Sequence, residues 1–332
     1  MAASSLPLLL CSAASSQRVG LLAPLALPYC AAARPTISPG WSPRRTALSL
    51  RRAGARAPTT CAAKRGSGGS EVSPSDGEGT RVLLQAALWG AEAAYIIWLF
   101  LLPYAPGDPV WAISQTTITD LVGLSLNFFF VLPLINSAGV HLLESPVLHP
   151  MAEGLFNFVI AWTLLFAPLL FTDARRDRYK GSLEILWSCQ MFLTNTFLIP
   201  YMAIRLNDPD KDQPPPQTSK LSSLMVRGAS VVGITGGLVC VLSIVWAFFG
   251  RADADFGGIS DRWQYAQDYV LTERLAYAFL WDILLYSIFQ PWLIGGNLQN
   301  VKPQATEFVN VARFIPVVGI VAYLLCLEDK KA

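Results

Sequence analysis

Hydrophobic positions in this chain form seven long runs after residue 80, each of 20 to 24 residues. A helix of that length crosses the ~30 Å hydrocarbon core of a bilayer at ~1.5 Å per residue. Helices of a soluble protein would carry a regular polar face, and these runs carry none. The pattern therefore predicts an all-α, polytopic transmembrane helix bundle of about seven spans. The runs are Leu83–Pro103, Thr117–Asn136, Met151–Phe171, Leu183–Ile204, Val226–Phe249, Glu273–Ile294 and Phe308–Leu327.

The last run is the least regular, because Arg313 and Pro316 interrupt it. Six spans plus a re-entrant or surface helix is therefore the alternative prediction. A polar, proline-rich linker over residues 205–225 separates the two halves of the predicted bundle. Membrane helices 1–4 are predicted within 81–204 and membrane helices 5–7 within 226–332.

The sixth run carries a polar stripe on an otherwise apolar helix. Asp282 lies almost at its centre, and Tyr286 and Gln290 follow at i+4 and i+8, close to the same helix face. A carboxylate at the bilayer midplane is costly unless it is protonated, paired or hydrated, so it indicates an internal polar site. The rest of the chain is predicted to be organised around this run.

Polar residues also fall near the centres of other runs, where Glu92, Asn127, Gln190 and Asn195 lie. Polar groups gathered at one depth are typical of the midplane binding site of a carrier. Interhelical hydrogen bonds that only hold the helices together are the alternative interpretation. The predicted substrate or proton site comprises Glu92, Asn127, Asn195, Asp282, Tyr286 and Gln290.

A possible internal repeat appears in the second, fourth and sixth runs. In each of them a central polar residue is followed by a proline, namely Pro133, Pro200 and Pro291. Alternate spans cross in the same direction, so the pattern indicates a parallel repeat.

Both histidines of the chain lie between the second and third runs. Glu144 follows His141 by three residues and Glu153 follows His149 by four, so each pair could meet on one helical turn and ligate a metal. These four residues are weak candidates, since metal and haem chemistries in membranes generally use more histidines. No cofactor is predicted, and the cysteines show no paired ligand spacing.

Composition and charge separate the first 70 residues from the rest. The chain is 53% hydrophobic and only 14% charged, against about 25% charged in soluble domains. Residues 1–70 contain nine Arg or Lys and no Asp or Glu, whereas the remainder has 16 basic residues against 23 acidic ones. The basic character thus belongs to the leader, and nothing indicates nucleic-acid binding.

The leader is rich in Ser, Ala and Pro, begins with an uncharged MAASS and reaches its first basic residue only at Arg18. It resembles a chloroplast transit peptide, and the sequence around Cys61 resembles a processing site. The resemblance implies removal of residues 1–62, a flexible mature N-terminus over 63–80, and recognition by the plastid import machinery. The protein is then expected in a chloroplast membrane, either the inner envelope or the thylakoid.

A basic loop at residues 175–180 is expected to face the stroma, by the positive-inside rule. With seven spans, the mature N-terminus would lie on the opposite side of the membrane.

Three functions are compatible with these features. The first is a carrier or channel for a small solute, ion or proton. The second is an assembly or scaffold protein for photosynthetic membrane complexes. The third is a membrane enzyme acting on a lipid, quinone or carotenoid, although no phosphate loop, HExxH, GxSxG or dinucleotide motif is present.

Overall fold

A computed structural model describes residues 74–209, 219–252 and 254–328. The predicted transit peptide and residues 63–73 of the predicted mature N-terminus lie outside this range. The described part is all-helical, with no strand and one isolated backbone bridge between Val301 and Leu327. The helices are α1 (Pro74–Ile96), α2 (Gln115–Leu126), α3 (Val131–Ser137), α4 (Pro150–Phe171), α5 (Leu183–Leu193), α6 (Asn195–Ile204), α7 (Lys220–Arg227), α8 (Ala229–Phe249), α9 (Ile259–Thr272), α10 (Arg274–Gly295), α11 (Thr306–Ala312) and α12 (Val318–Leu325).

Four helices are long and apolar enough to cross a membrane: α1 with its π-helical extension Ile97–Leu101, α4, α8 and α10. A fifth span results only if the bent pair α2–α3 is counted as one. The prediction of an apolar, all-helical membrane-associated protein is confirmed, but the seven spans are not. The second, fourth and seventh hydrophobic runs each contain a break in the helix, which apolarity alone does not reveal.

Helix α4, rather than α10, is at the centre of the bundle. In the apolar window of α4, 83% of the residues are buried, against 39% for α10. Glycines bring α8 close to α4, because a Cβ at Gly154 would lie 2.6 Å from the carbonyl oxygen of Ser243 and one at Gly236 would lie 2.6 Å from Leu165. The prediction that the chain is organised around the sixth run is therefore wrong.

The long helices alternate in direction and define two ends of the bundle. At one end, Asp173 forms a buried ion pair with Arg205, and we call this the Asp173 end. At the other end, Glu153 forms a buried ion pair with Arg251, and we call this the Glu153 end. Helices α1 and α8 run from the Asp173 end to the Glu153 end, and α4 and α10 run back.

The fourth run is a re-entrant hairpin in which α5 and α6 both have their outer ends at the Asp173 end. The backbone breaks at Thr194, whose φ of 37° and ψ of −108° no helix accommodates. Helix α5 begins beside the last turns of α4, where Trp187 packs edge-on against Phe171. The tip reaches the middle of α10, and α6 then returns to the ion pair of Arg205 with Asp173.

The seventh run is a second, shorter re-entrant hairpin formed by α11 and α12. Its outer ends meet at the Asp173 end, where the backbone N–H of Lys302 donates to Cys326 and that of Glu328 donates to Asn300. The chain reverses at Val317, whose φ is 61°, in a tight turn closed by Val318 N–H and the Pro316 carbonyl. The seventh run thus folds back on itself, as the run before the linker also does, but the alternative of six spans plus a re-entrant or surface helix is not confirmed.

The second run does not cross the bundle. It breaks between α2 and α3, where Phe129 and Phe130 have positive φ and the pair bends by 41°. Thr117 near its start donates to Glu273, and Ser145 after its end accepts from Arg251, so both ends of the pair lie at the Glu153 end. The start of α1 lies at the same end of the bundle as the basic loop, since Gly77, Glu78 and Arg81 line one pocket with Arg175 and Arg178.

The order of elements repeats once along the chain. A crossing helix, a returning crossing helix and a re-entrant hairpin occur first as α1, α4 and α5–α6, and then as α8, α10 and α11–α12. Four equivalent pairs are each 123 residues apart: Pro168 and Pro291, Leu183 and Thr306, Thr194 and Val317, and Asn195 and Val318. The observed order relates runs one, three and four to runs five, six and seven, so it is not the repeat of runs two, four and six that the sequence predicted.

Candidate functional site

The tip of the first hairpin holds a buried carboxylate. Asp282 on α10 is 2% exposed, and its Oδ1 accepts three hydrogen bonds. The donors are the Thr194 hydroxyl at 2.6 Å, the Asn195 side-chain amide at 2.7 Å and the Tyr95 hydroxyl of α1 at 3.2 Å. All three donors are uncharged, so three separate segments of the chain meet at one carboxylate without a cation among them.

The break in the fourth run produces this arrangement. Because the chain reverses at Thr194, the first residues of α6 lie at the tip and point toward α10. The N-terminus of a helix carries a partial positive charge that favours a nearby carboxylate. The local backbone, and not only the side chains, therefore stabilises Asp282 at this position.

Polar atoms around the hairpin are incompletely hydrogen-bonded. Within the described part of the chain, three buried side-chain oxygens on the helices facing this region lack a partner. Buried polar atoms are nearly always hydrogen-bonded, and each exception costs about 1–3 kcal/mol. The region where these unpartnered atoms cluster is therefore a candidate ligand-binding site. The atoms are Glu92 Oε2, Asn195 Oδ1 and Thr196 Oγ1, and the nearby Gln190 side chain hydrogen-bonds Tyr286.

Glu92 lies one helical turn from Tyr95 on α1, and its side chain is 6% exposed. No hydrogen bond joins Glu92 to Asp282 in the described structure, so the two carboxylates do not form a directly bonded pair. Tyr95, which lies on the same face of α1 as Glu92, is the residue of α1 that donates a hydrogen bond to Asp282.

Tyr286 and Gln290 extend the polar stripe of α10 toward the Asp173 end. Both are buried, but they bind other elements. The Tyr286 hydroxyl is 2.7 Å from that of Thr163 on α4. Gln290 accepts from Trp162 on α4 at 3.0 Å and also binds the tip of the second hairpin. These two residues therefore connect α10 to its neighbours, beyond the immediate surroundings of Asp282.

Asn127 belongs to a different cluster. Its side-chain amide donates to Glu153 at 2.5 Å and to the Pro146 carbonyl at 2.9 Å. Glu153 also accepts from Trp246 and forms its ion pair with Arg251, in which the Nη2–Oε1 distance is 2.6 Å. This carboxylate is fully paired, so the cluster closes the Glu153 end rather than offering a binding site.

The four weak metal candidates are not brought together. His149 begins α4, where its Nδ1 accepts from the backbone of Met151, and its ring stacks on Tyr265 with centroids 3.4 Å apart. Burial, followed by the nearby charge of Arg262, lowers the pKa of His149 to about 4, which keeps it neutral.

The other members of the set lie elsewhere. Glu153 forms an ion pair with Arg251, and His141 and Glu144 line an open cavity of about 770 Å³. Among the described residues, no group of three His, Cys, Asp or Glu side chains is placed to hold a metal.

A fourth buried carboxylate, Asp173, lies at the base of the first hairpin. Asp173 accepts from Arg205 at 2.6 Å, from Tyr201 at 2.6 Å and from Asn297 at 2.9 Å. Burial by itself would raise the pKa of Asp173, but the hydrogen bonds and charge of Arg205, with the bonds from Tyr201 and Asn297, lower it overall. Asp173 and Glu153 are thus paired with arginines, whereas Asp282 is held by neutral groups alone.

Two residues of the Asp282 cluster were not predicted from the sequence. Tyr95 follows Glu92 by three residues, a spacing that places both on one helix face, so it could have been found. Thr194 had no comparable signal, because it lies within a continuous hydrophobic run and only the observed break brings it to the tip.

Comparisons with protein-family models, with curated proteins and with solved structures find no match to this chain. The class of the protein therefore follows from the fold itself. It is an all-helical, membrane-associated protein with four long apolar helices, or up to five spans if the bent pair is counted.

Proposed function

We propose that the protein is a carrier or channel for a proton or a small metal cation, with Asp282 as the central binding group. The supporting observation is the meeting of a re-entrant hairpin tip with a buried carboxylate on a crossing helix. Helices interrupted at mid-membrane depth, with a polar group at the break, are the usual construction of ion sites in transporters. An ionisable residue at such a depth is functional by default.

The chemistry of the surrounding atoms favours a cation over a general solute. The three unpartnered atoms near the hairpin are all oxygens, on Glu92, Asn195 and Thr196. Hard cations prefer carboxylate, amide and hydroxyl oxygens, and a protonated carboxyl group also needs oxygen acceptors. Arginine and lysine are absent from the hydrogen bonds of Asp282, which leaves its negative charge to attract a cation.

The test is the flux of cations through vesicles that contain the purified full chain. Proton, sodium and potassium fluxes are measured for the wild type and for Asp282→Asn, which keeps the shape and the acceptor oxygen but removes the charge. We expect at least a tenfold loss of the wild-type flux. Asp268→Asn, an exposed position on α9, is the matched control and should behave as the wild type. Equal flux in the wild type and Asp282→Asn would exclude the proposal.

We also propose that this activity resides in a chloroplast membrane. The support is the acid-free, Ser- and Ala-rich leader and its resemblance to a transit peptide. Fusing residues 1–62 and the following segment to a soluble reporter tests the proposal by import into isolated chloroplasts. Uptake with cleavage near Cys61 is the expected result, and retention of the intact fusion outside the organelle would contradict it.

The two alternative functions have less support. The enzyme hypothesis relied on His141, Glu144, His149 and Glu153 acting together, but His149 stacks on Tyr265 and Glu153 is ion-paired with Arg251, while His141 and Glu144 line one cavity. An assembly or scaffold function stays a prediction from the sequence. Co-migration with a photosynthetic complex on a native gel would support that function.

A further inference from the structure

Helix α1 presents a single inward stripe to the rest of the bundle. Its buried or half-buried positions recur every three or four residues, while the positions between them are exposed. Polar side chains are costly on the lipid-facing side of a membrane helix, so the polar residues of the stripe face the protein. The stripe consists of Arg81, Gln85, Leu88, Glu92 and Tyr95.

The stripe lies along α6 in antiparallel register. Arg81 donates to the carbonyl oxygen of Leu206 at 3.3 Å and also pairs with Asp208. One turn further, Gln85 donates to the Ala203 carbonyl at 3.2 Å and to the Asn207 side chain at 2.5 Å. Continuing this register places Glu92 opposite Thr196, in the first turn of α6.

Unpartnered oxygens concentrate where the stripe approaches Asp282. Glu92 Oε2, Thr196 Oγ1 and Asn195 Oδ1 are all buried and have no hydrogen-bond partner in the described structure. They come from the two facing helices and lie within about one turn of the hairpin tip. Beyond them, Tyr95 and Asn195 bind Asp282 directly. On the α1 side, the interface with α6 is therefore a line of polar groups from the Asp173 end to the carboxylate, interrupted at Leu88, and buried apolar residues of α6 such as Ile199 and Met202 lie between its polar ends.

The opposite direction is closed by aromatic and backbone contacts. Trp98, one turn beyond Tyr95, packs edge-on against Tyr277 and Trp281 of α10, with ring centroids 5.5 and 5.6 Å apart. Above this layer, Arg274 donates to five backbone carbonyls at and after the end of α1. They belong to Leu99, Leu102, Ala105, Pro106 and Gly107.

We infer that the cation reaches Asp282 from the Asp173 end through the interface between α1 and α6, and that Glu92 is its intermediate binding residue. The inference extends the proposed function and rests on it. In the conformation described here Leu88 is buried in the hydrophobic core, so entry from the Asp173 end requires it to move, and the Trp98, Tyr277 and Trp281 layer separates Asp282 from the Glu153 end. Release to that side requires displacement of this layer.

Cysteine labelling tests the route without relying on flux. In a background with all six cysteines replaced by serine or alanine, Leu88→Cys is reacted in vesicles with a charged, membrane-impermeant thiol reagent. Gly90→Cys is the matched control, because it lies at the same depth on the outer face, with nothing within 4 Å of an added Cβ. Asp177→Cys and Leu142→Cys, which are exposed at opposite ends, report the orientation.

We expect a mass shift of Leu88→Cys only from the side that labels Asp177→Cys, and none for Gly90→Cys. Labelling of Leu88→Cys from the Leu142→Cys side, or its failure to react from either side, would overturn the route. Glu92→Cys is the second variant if Leu88→Cys is poorly folded, and the same two outcomes apply to it.

The role of Glu92 is tested separately by flux. Glu92→Gln should lower cation flux at least tenfold while leaving the labelling of Leu88→Cys unchanged, and wild-type flux in Glu92→Gln would overturn its role. These outcomes are distinguishable from failure of the proposed function. If the proposed function is wrong, Asp282→Asn has the same cation flux as the wild type, whatever the labelling pattern.

Discussion

The two re-entrant hairpins have the same backbone arrangement, but the polar groups at their tips are hydrogen-bonded differently. Each has its outer ends at the Asp173 end and reverses at a residue of positive φ, Thr194 in the first and Val317 in the second. The first tip donates to the carboxylate of Asp282, and several oxygens near it lack partners. At the second tip, a neutral amide of the same helix, Gln290, binds the chain reversal.

Gln290 uses both ends of its side chain. Its Nε2 donates to the carbonyls of Arg313 and Ile315 at 2.9 Å, and its Oε1 accepts from Val317 N–H at 3.2 Å and from Trp162. The comparison teaches that a break inside a membrane helix does not by itself make a binding site. At the second tip Gln290 binds the backbone of the reversal and the unpartnered buried atom nearby is a nitrogen, Arg313 Nε, whereas the first tip leaves oxygens unpartnered and can bind a cation.

The largest expected effect concerns the base of the first hairpin. Arg205→Met leaves Asp173 buried without its cation, and breaking a buried ion pair from one side costs about 3–5 kcal/mol. The loss of stability is measured by monitoring unfolding in detergent with circular dichroism. Asp173→Asn combined with Arg205→Met should recover part of it, because no unpaired charge then remains. An Arg205→Met variant as stable as the wild type would show that the first hairpin is anchored elsewhere.

The next prediction separates the two tips directly. Gln290→Leu removes four hydrogen bonds and leaves backbone groups unpaired, so it should lower stability by about 2–4 kcal/mol. Asn195→Leu removes one bond from a residue whose Oδ1 has no partner, so it should cost less, about 1 kcal/mol, but should lower cation flux strongly. Measuring both variants for stability and for flux per folded protein checks the contrast. The reverse pattern would assign the binding site to the second hairpin.

The smallest expected effect comes from the strained turns. Val317→Gly relieves a β-branched residue at a φ of 61° and should stabilise the protein by up to about 1 kcal/mol without changing flux. Thr194→Gly relieves similar strain but removes a donor to Asp282, so its flux should fall. Thermal unfolding and vesicle flux of the two variants provide the measurement. Loss of flux in Val317→Gly would contradict a purely structural second tip.

The site was partly predictable because some of its features are local. Four-residue spacing on one helix places Asp282, Tyr286 and Gln290 on one stripe, and all three are buried. Their separate partners were not predictable, since the sequence does not contain the rotation of a helix or the identity of its neighbours. Asn127 illustrates this limit, because it lies at a similar depth in its own run yet binds Glu153 at the other end of the bundle.

The sequence by itself determined that the chain is helical, that it is built for an apolar environment, and that polar residues inside those helices face the protein. These properties follow from composition and spacing over a few turns. Only the tertiary structure decided which apolar runs cross and which turn back. A re-entrant hairpin and a crossing helix bury equally apolar residues, and the strained backbone at Thr194 and Val317 is maintained by contacts with Asp282 and Gln290 that are distant in the chain.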